Sequence, residues 1–175
     1  MRIAIFGNSG SGKSTLARAF ASTYGMRALD LDTVAWEPRK IAVPRGEEIA
    51  LRDVARFCNA RTDWVIEGCY SKLIEATLQH APLLLFVEPG EAACLSNCRS
   101  RPWEPHKYAS KHEQDVKLEF LLAWVSKYYT RQGDLSLDAH QALFDAYRGP
   151  KRKLSARVDS NRLGELAYLS EECTQ

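Results

Sequence analysis

Short apolar runs alternate along the chain with longer stretches in which apolar residues recur every three or four positions. The runs 2–6 (RIAIF), 27–31 (RALDL), 63–67 (DWVIE) and 83–87 (LLLFV) read as strands, and a fifth is expected over 151–155 (KRKLS). Helices are predicted over 13–24, 47–60, 71–79, 90–101, 112–131, 136–147 and 160–169. In the first, Leu16, Phe20 and Tyr24 share a face with Ala17 and Ala21, and Gly25 supplies the stop. Ile49, Val54, Phe57 and Cys58 are the expected inward set of the second. In 112–131, Val116, Phe120, Trp124 and Tyr128 repeat at i+4, and Leu121, Val125 and Tyr129 widen the stripe. Pro102 and Pro105 end the helix before it and leave 102–111 as loop, as two prolines do for 36–46. Strand and helix in alternation predict an α/β chain, its parallel sheet covered on both faces. With no internal repeat and no linker, residues 1–175 are expected to form a single domain.

Composition narrows the class. At 45% hydrophobic and 26% charged residues the chain has the balance of a globular protein, which excludes disorder, a disulfide scaffold and collagen-like repeats. The 24 basic and 22 acidic residues leave a net charge of +2, which gives no global reason to expect nucleic acid as a partner. The longest clean apolar run, Leu83 to Val87, falls far short of the roughly 20 residues that span a bilayer. Ile3 to Phe6 is too short for a signal segment, so a cytoplasmic location without membrane attachment is expected. Cys58, Cys69, Cys94, Cys98 and Cys173 make an odd count with no Cys-x-x-Cys pair. Cys94 and Cys98 lie four apart on a predicted helix, where Cβ atoms stand about 5–6 Å apart against the roughly 3.5–4.5 Å of a disulfide. Reduced thiols are expected. Both a monomer and a homodimer fit the sequence.

The strongest chemical signal is Gly7-Asn8-Ser9-Gly10-Ser11-Gly12-Lys13-Ser14, followed by Thr15, which fits Gly-x-x-x-x-Gly-Lys-Ser/Thr between an apolar strand and an amphipathic helix. Glycines let the backbone wrap closely enough for successive N–H groups to point at phosphate oxygens, and the helix adds its positive end. Lys13 can bridge β- and γ-phosphates, and the Ser14 hydroxyl can ligate Mg²⁺. The implied ligand is a nucleoside triphosphate. No Asn/Thr-Lys-x-Asp guanine-reading motif follows, and 175 residues leave little room for the added domain of an ATPase motor. A small kinase remains.

At this point the chain resembles the P-loop kinases of the nucleoside-monophosphate kinase and shikimate kinase group. More narrowly, it resembles bacterial DNA topology modulation proteins, which are adenylate-kinase-like ATPases. The narrow likeness runs through GNSGSGKST, ALDLDTVAWEP, WVIEGCY, CRSRPWEPHKY, WVSKYYTR and YRGPKRKL. The resemblance implies a P-loop NTPase fold: a three-layer αβα sandwich on a five-stranded parallel sheet, with a helical LID region over about 99–131. It also implies ATP and Mg²⁺ as cofactors and transfer of the γ-phosphate.

Asp30-Leu31-Asp32 ends the second strand, the edge at which open α/β sheets bind ligands, and strand alternation puts both carboxylates on one side. By resemblance to shikimate kinase, Asp30 would hold Mg²⁺ through water while Asp32 orients the acceptor hydroxyl and takes its proton. The alternative is a helix cap beside a solvated strand end. A carboxylate repels an incoming phosphate dianion and assists an alcohol, so the pair favours a hydroxyl-bearing small molecule as acceptor. Glu67, before Gly68, is open to three readings: a metal-side carboxylate, an alternative base, or a partner of a neighbouring loop. Gly68 could let the acceptor approach the backbone, and Glu88 is a weaker candidate.

Arg99, Arg101, Lys107 and Lys111 gather where the resemblance places the LID, and Arg131 lies at the far end of the long helix. Arg99, Arg101 and Arg131 are the candidates to meet charge on the transferring phosphoryl group. Trp36, Arg39, Tyr70, Trp103 and Tyr108 fall on loops turned toward the acceptor. His106 near Cys94 and Cys98 lacks a fourth ligand for zinc. Arg148 to Arg157 carries five basic residues, read as a strand end and the loop bordering adenine rather than as a nucleic-acid contact. The leading function is phosphorylation of a small metabolite. The alternatives are a nucleotide-binding regulator or nucleic-acid-associated ATPase, and a nucleoside-monophosphate kinase.

Overall fold

A computed structural model of the chain describes residues 1–37, 43–103, 109–156, 158 and 162–171. Five strands, β1 (Arg2–Gly7), β2 (Arg27–Asp30), β3 (Trp64–Gly68), β4 (Leu83–Val87) and β5 (Lys151–Leu154), form one sheet in the order β2-β3-β1-β4-β5. Every pairing is parallel. The helices are α1 (Lys13–Tyr24), α2 (Asp32–Ala35), α3 (Glu47–Asn59), α4 (Ser71–Glu75), α5 (Glu91–Arg99), α6 (Lys111–Lys127), α7 (Leu137–Ala146) and α8 (Leu163–Glu171).

Strand alternation sorts the core into two layers. Ala4, Phe6, Ile66, Leu84 and Phe86 face α2, α3, α4 and α7. Ile3, Ile5, Val65, Leu83 and Leu85 face α1 and α8. The central strands are therefore apolar on both faces, as parallel strands under two helix layers must be. The edge strands β2 and β5 carry Arg27, Lys151, Arg152 and Lys153, which blunt the sheet against further pairing. A smaller third cluster, Cys94, Cys98 and Val125 with Leu95, Leu121 and Leu122, joins α5 to α6. All five strands deliver their carboxyl ends to one edge, where register sets Asp30 beside Glu67 and Gly7 beside Val87.

The α/β class, the parallel sheet and the strand positions follow the sequence pattern; four local expectations do not. The stripe of α6 is turned outward: Val116 is 65% and Phe120 75% exposed, while Val125 and Tyr128 are buried. Within the α5–α6 cluster the helix packs through Leu121, Leu122 and Val125, so these residues, and not the i+4 aromatic row, set its rotation. Ile49 of α3 is also exposed, because Ala50, Val54 and Cys58 form the row that closes on the sheet. Strand alternation also ends at Asp30. Asp32 opens α2, and its backbone N–H donates to Asp30 Oδ1 at 2.9 Å, so the two residues are joined through a turn rather than along a strand. The predicted helix 71–79 is the short α4 followed by a 3₁₀ turn at Leu78–His80.

The rotation of α6 is testable by urea unfolding. Val125→Ala should cost roughly 2 kcal/mol, whereas Phe120→Ser should stay within about 0.5 kcal/mol of wild type. Equal costs would put Phe120 in the core.

Candidate active site

The phosphate-loop sequence connects β1 to α1 in a curl that only glycine allows at two points. Gly7 (φ 151°) lies against the Val87 carbonyl, and Gly10 (φ 78°) lies against α5, where an added Cβ would stand 2.7 Å from Cys98 Sγ. Asn97 Nδ2 donates to the Gly10 carbonyl at 2.8 Å. Asn8, 3% exposed, accepts from Ser9 N–H at 2.8 Å, and its Nδ2 donates across the molecule to the Val125 carbonyl at 3.0 Å. Asn8 is thus a strut between the loop and α6. Gly12 takes a left-handed conformation as the cap of α1, and Thr15 is exposed on the first turn. Ser11 Oγ is buried with no hydrogen-bond partner, an orphan that a phosphate oxygen would satisfy.

Lys13 heads α1 almost out of water, its Nζ donating to the Asn8 carbonyl at 3.3 Å and bonding the Cys69 thiol. Burial alone would favour the neutral amine. The nearby Cys69, Glu67 and Asp32 outweigh it, and the ammonium is held more firmly than in water. Glu67, 5% exposed, is pushed up by burial, against the pull of Lys13, with Asp30 adding to the rise. Its carboxyl bonds Ser14. Among the described residues no group of three or more His, Cys, Asp or Glu side chains could hold a metal by itself. The donors present, the Ser14 hydroxyl and the Asp30 carboxylate, are hard oxygens few in number. They fit Mg²⁺, which keeps most of its shell as water and phosphate.

Beyond the loop, Trp36, Tyr70 and Asp32 form a relay. Trp36 Nε1 donates to Tyr70 Oη at 2.8 Å, and Tyr70 Oη donates to Asp32 Oδ1 at 2.9 Å. Burial and then the charge of Asp32 hold the phenol proton on, so Tyr70 donates to the carboxylate while it accepts from Trp36. Gly68 is required by packing, since an added Cβ would lie 2.7 Å from Leu31 Cβ. Arg39, Lys107, Tyr108 and His106 lie outside the described residues. Arg99 is exposed on the last turn of α5, and Arg101 is half-buried just beyond it. Arg131 stacks 3.7 Å over the Trp124 ring and donates to the Trp124 carbonyl, while its Nε and Nη1 are buried without partners among the described residues. Two N–H donors therefore stand ready for an anion. Glu88 is engaged, accepting from Tyr129 Oη at 3.0 Å and Gly90 N–H at 3.2 Å. A cavity of about 270 Å³ opens beyond β5, lined in part by Lys153, Leu154, Ser155, Ala156 and Arg162.

The sequence reading missed Cys69, Tyr128 and His140. His140 is fully buried, with Nε2 2.7 Å from the Cys69 carbonyl and Nδ1 2.8 Å from Tyr128 Oη. No local pattern marks it, because its partner lies 71 residues away. A carbonyl only accepts, so Nε2 carries the proton and Nδ1 accepts from Tyr128. The ring is pushed down to about 4 by burial, opposed by the Cys69 carbonyl and reinforced by the charges of Lys13 and Arg131.

No protein-family model matches the chain, and no curated protein matches it. Solved structures do. A sugar kinase from Janibacter sp. HTCC2649 is similar at 18% identity with a TM-score of 0.57, covering 98% of this chain and 94% of that one. A gluconokinase from Sinorhizobium meliloti 1021 is similar at 17% identity with a TM-score of 0.55, over 98% and 94% of the two chains. Shikimate kinase from Aquifex aeolicus is similar at 14% identity with a TM-score of 0.55, over 98% and 96%. What is shared at these identities is the fold, and the chain has the α/β fold of the small P-loop kinases.

The His140 environment predicts a pH dependence of stability. The unfolded ring takes a proton near pH 6.5, while the folded ring resists until about 4, so the unfolded state binds more protons in that window. Stability should fall by roughly 3 kcal/mol between pH 7 and pH 4, by urea unfolding, and His140→Gln should lose this share of the slope.

Proposed function

We propose that this protein is an ATP- and Mg²⁺-dependent kinase that phosphorylates a hydroxyl group of a small metabolite. The observation that carries this reading is the meeting of Lys13, the cation of the phosphate loop, with Asp32, the carboxylate of the Trp36–Tyr70 relay, in one charge cluster. A phosphate grip and an acceptor base are then side by side.

In this reading Gly7 to Thr15 cradle the polyphosphate, and Lys13 neutralises its β- and γ-oxygens. Ser14 and Asp30 would hold Mg²⁺, which supplies charge neutralisation at the phosphates. Asp32 orients the acceptor hydroxyl and takes its proton as the new O–P bond forms and the bond to ADP breaks. Tyr70 holds Asp32 in place through its hydrogen bond, while Trp36, Glu67 and Gly68 border the acceptor. Arg131 meets the charge on the transferring group, and a lid over about 99–131 brings Arg99 and Arg101 to it. The cavity beyond β5 takes the base. The basic stretch at β5 has internal duties: Lys151 Nζ donates to the carbonyls of Phe144, Asp145 and Tyr147 at 2.7, 3.0 and 2.6 Å, closing the end of α7. That supports a small-molecule acceptor over nucleic acid. No helix among the described residues is long and apolar enough to cross a membrane, which fits the proposed cytoplasmic location. Monomer and homodimer both suit this chemistry.

Lys13→Ala should abolish binding of a non-hydrolysable ATP analogue in calorimetry; unchanged affinity would remove the phosphate-loop assignment. Asp32→Asn should keep that affinity within about threefold and lower turnover by roughly 10²–10⁴-fold. Loss of both together would move Asp32 to the metal. Arg131→Ala should lower turnover by on the order of 10³-fold. A metabolite panel, scored by ADP formation, tests the reading as a whole: ADP release raised well above the slow rate with water, and raised only by a hydroxyl-bearing metabolite, supports it. Stimulation by DNA that fades as salt rises would replace it with a nucleic-acid-associated ATPase.

A further inference from the structure

We propose that His140, acting with Tyr128, is a positioning residue that locks the segment Gly68–Tyr70 to the end of α6, and so sets Cys69 and Tyr70 against Lys13 and Asp32. The inference deepens the kinase reading and rests on it. The hydrogen bonds form a one-way chain, from the Tyr128 hydroxyl to Nδ1 and from Nε2–H to the Cys69 carbonyl, at 2.8 and 2.7 Å. One end is a helix terminus already tied to the phosphate loop, because Val125 accepts from Asn8 and Arg131 follows three residues after Tyr128. At the other end is the peptide between two working side chains: Cys69, bonded to Lys13 and 3.8 Å from Ser9 Oγ, and Tyr70, which donates to Asp32.

The ring touches no solvent and so cannot meet substrate; it acts through the carbonyl it holds. Phe6 of β1 and Phe86 of β4 pack their rings against it at 5.2 and 6.0 Å. The polar and charged groups around it are Tyr128 at the end of α6, the Cys69 carbonyl after β3, Lys13 of α1 and Arg131. Both cations oppose a proton on the ring, and the two apolar walls give one no stabilisation. The hydrogen-bond polarity therefore persists through neutral pH. An unpaired carbonyl and hydroxyl would otherwise be left in a buried site, which makes the arrangement stiff.

Three variants test this: His140→Leu, which leaves both partners unpaired; His140→Gln, whose amide offers the same donor and acceptor; and Tyr128→Phe. The probes are calorimetry with a non-hydrolysable ATP analogue, ATP turnover with water as acceptor, and the rate of Cys69 alkylation by iodoacetamide, read by mass spectrometry. His140→Leu should keep analogue affinity within about threefold, lower turnover by roughly 10- to 100-fold and speed alkylation of Cys69 at least fivefold. His140→Gln should restore both to within about threefold of wild type. If His140→Leu does not fold, Tyr128→Phe carries the test, with turnover about tenfold lower at unchanged affinity. Wild-type turnover and alkylation in a folded His140→Leu or Tyr128→Phe protein would overturn the proposal. So would a His140→Gln protein no better than His140→Leu. Should wild type fail to bind the analogue, the kinase reading falls, while the alkylation comparison still decides the role of His140.

Discussion

One ammonium group organises this end of the molecule. Lys13 is fixed at the head of α1 and almost wholly withdrawn from water, and a buried cation is costly unless partners surround it. Those partners come from the chain's own site: the Asn8 carbonyl, the Cys69 thiol and the carboxylates of Glu67 and Asp32. They arrive on three segments, after β1, after β2 and at the end of β3, so the arrangement exists only when these strands are aligned in register. The sheet thereby converts its backbone pairing into the placement of charge.

The loop is also held from outside the sheet. Gly10 presses on α5, Asn97 donates to its carbonyl, and Asn8 reaches the last turn of α6. His140 and Tyr128 then join the same turn of α6 to the peptide after β3. A shift of α6 is therefore felt both at the glycine-rich loop and at the segment that carries Cys69 and Tyr70. Arg131 adds to this link, because its stacking on Trp124 makes its position part of the helix rather than of a free tail.

Most of the fold was legible because its signals are local. The apolar runs, the glycine-lysine motif and the cap Gly25 depend on neighbours a few residues away. The outward face of α6 was not legible: periodicity shows that Val116, Phe120 and Trp124 share a stripe, but only the packing against α5 says which way it points. Asp32 was found by its spacing from Asp30, yet its partners Tyr70 and Trp36 are joined by a turn and a relay that alternation does not describe. Asn8 was found by its place in the glycine-lysine motif, but the reach of its side chain across 117 residues to α6 is nothing the motif describes. His140 carried no signal at all, since a histidine on a predicted helix becomes informative only when its two partners are known.

The place of β1 in the sheet has a consequence for biosynthesis. The first strand made, Arg2–Gly7, is flanked by β3 and β4, whose residues begin at Trp64 and Leu83. A ribosome adding about 5–20 residues per second leaves that strand, apolar from Ile3 to Phe6, with two open edges for several seconds. Until those neighbours emerge, only helices such as α1 and α3 are there to cover it, so the nascent chain passes through an interval in which the middle strand of the finished sheet is adhesive along both edges.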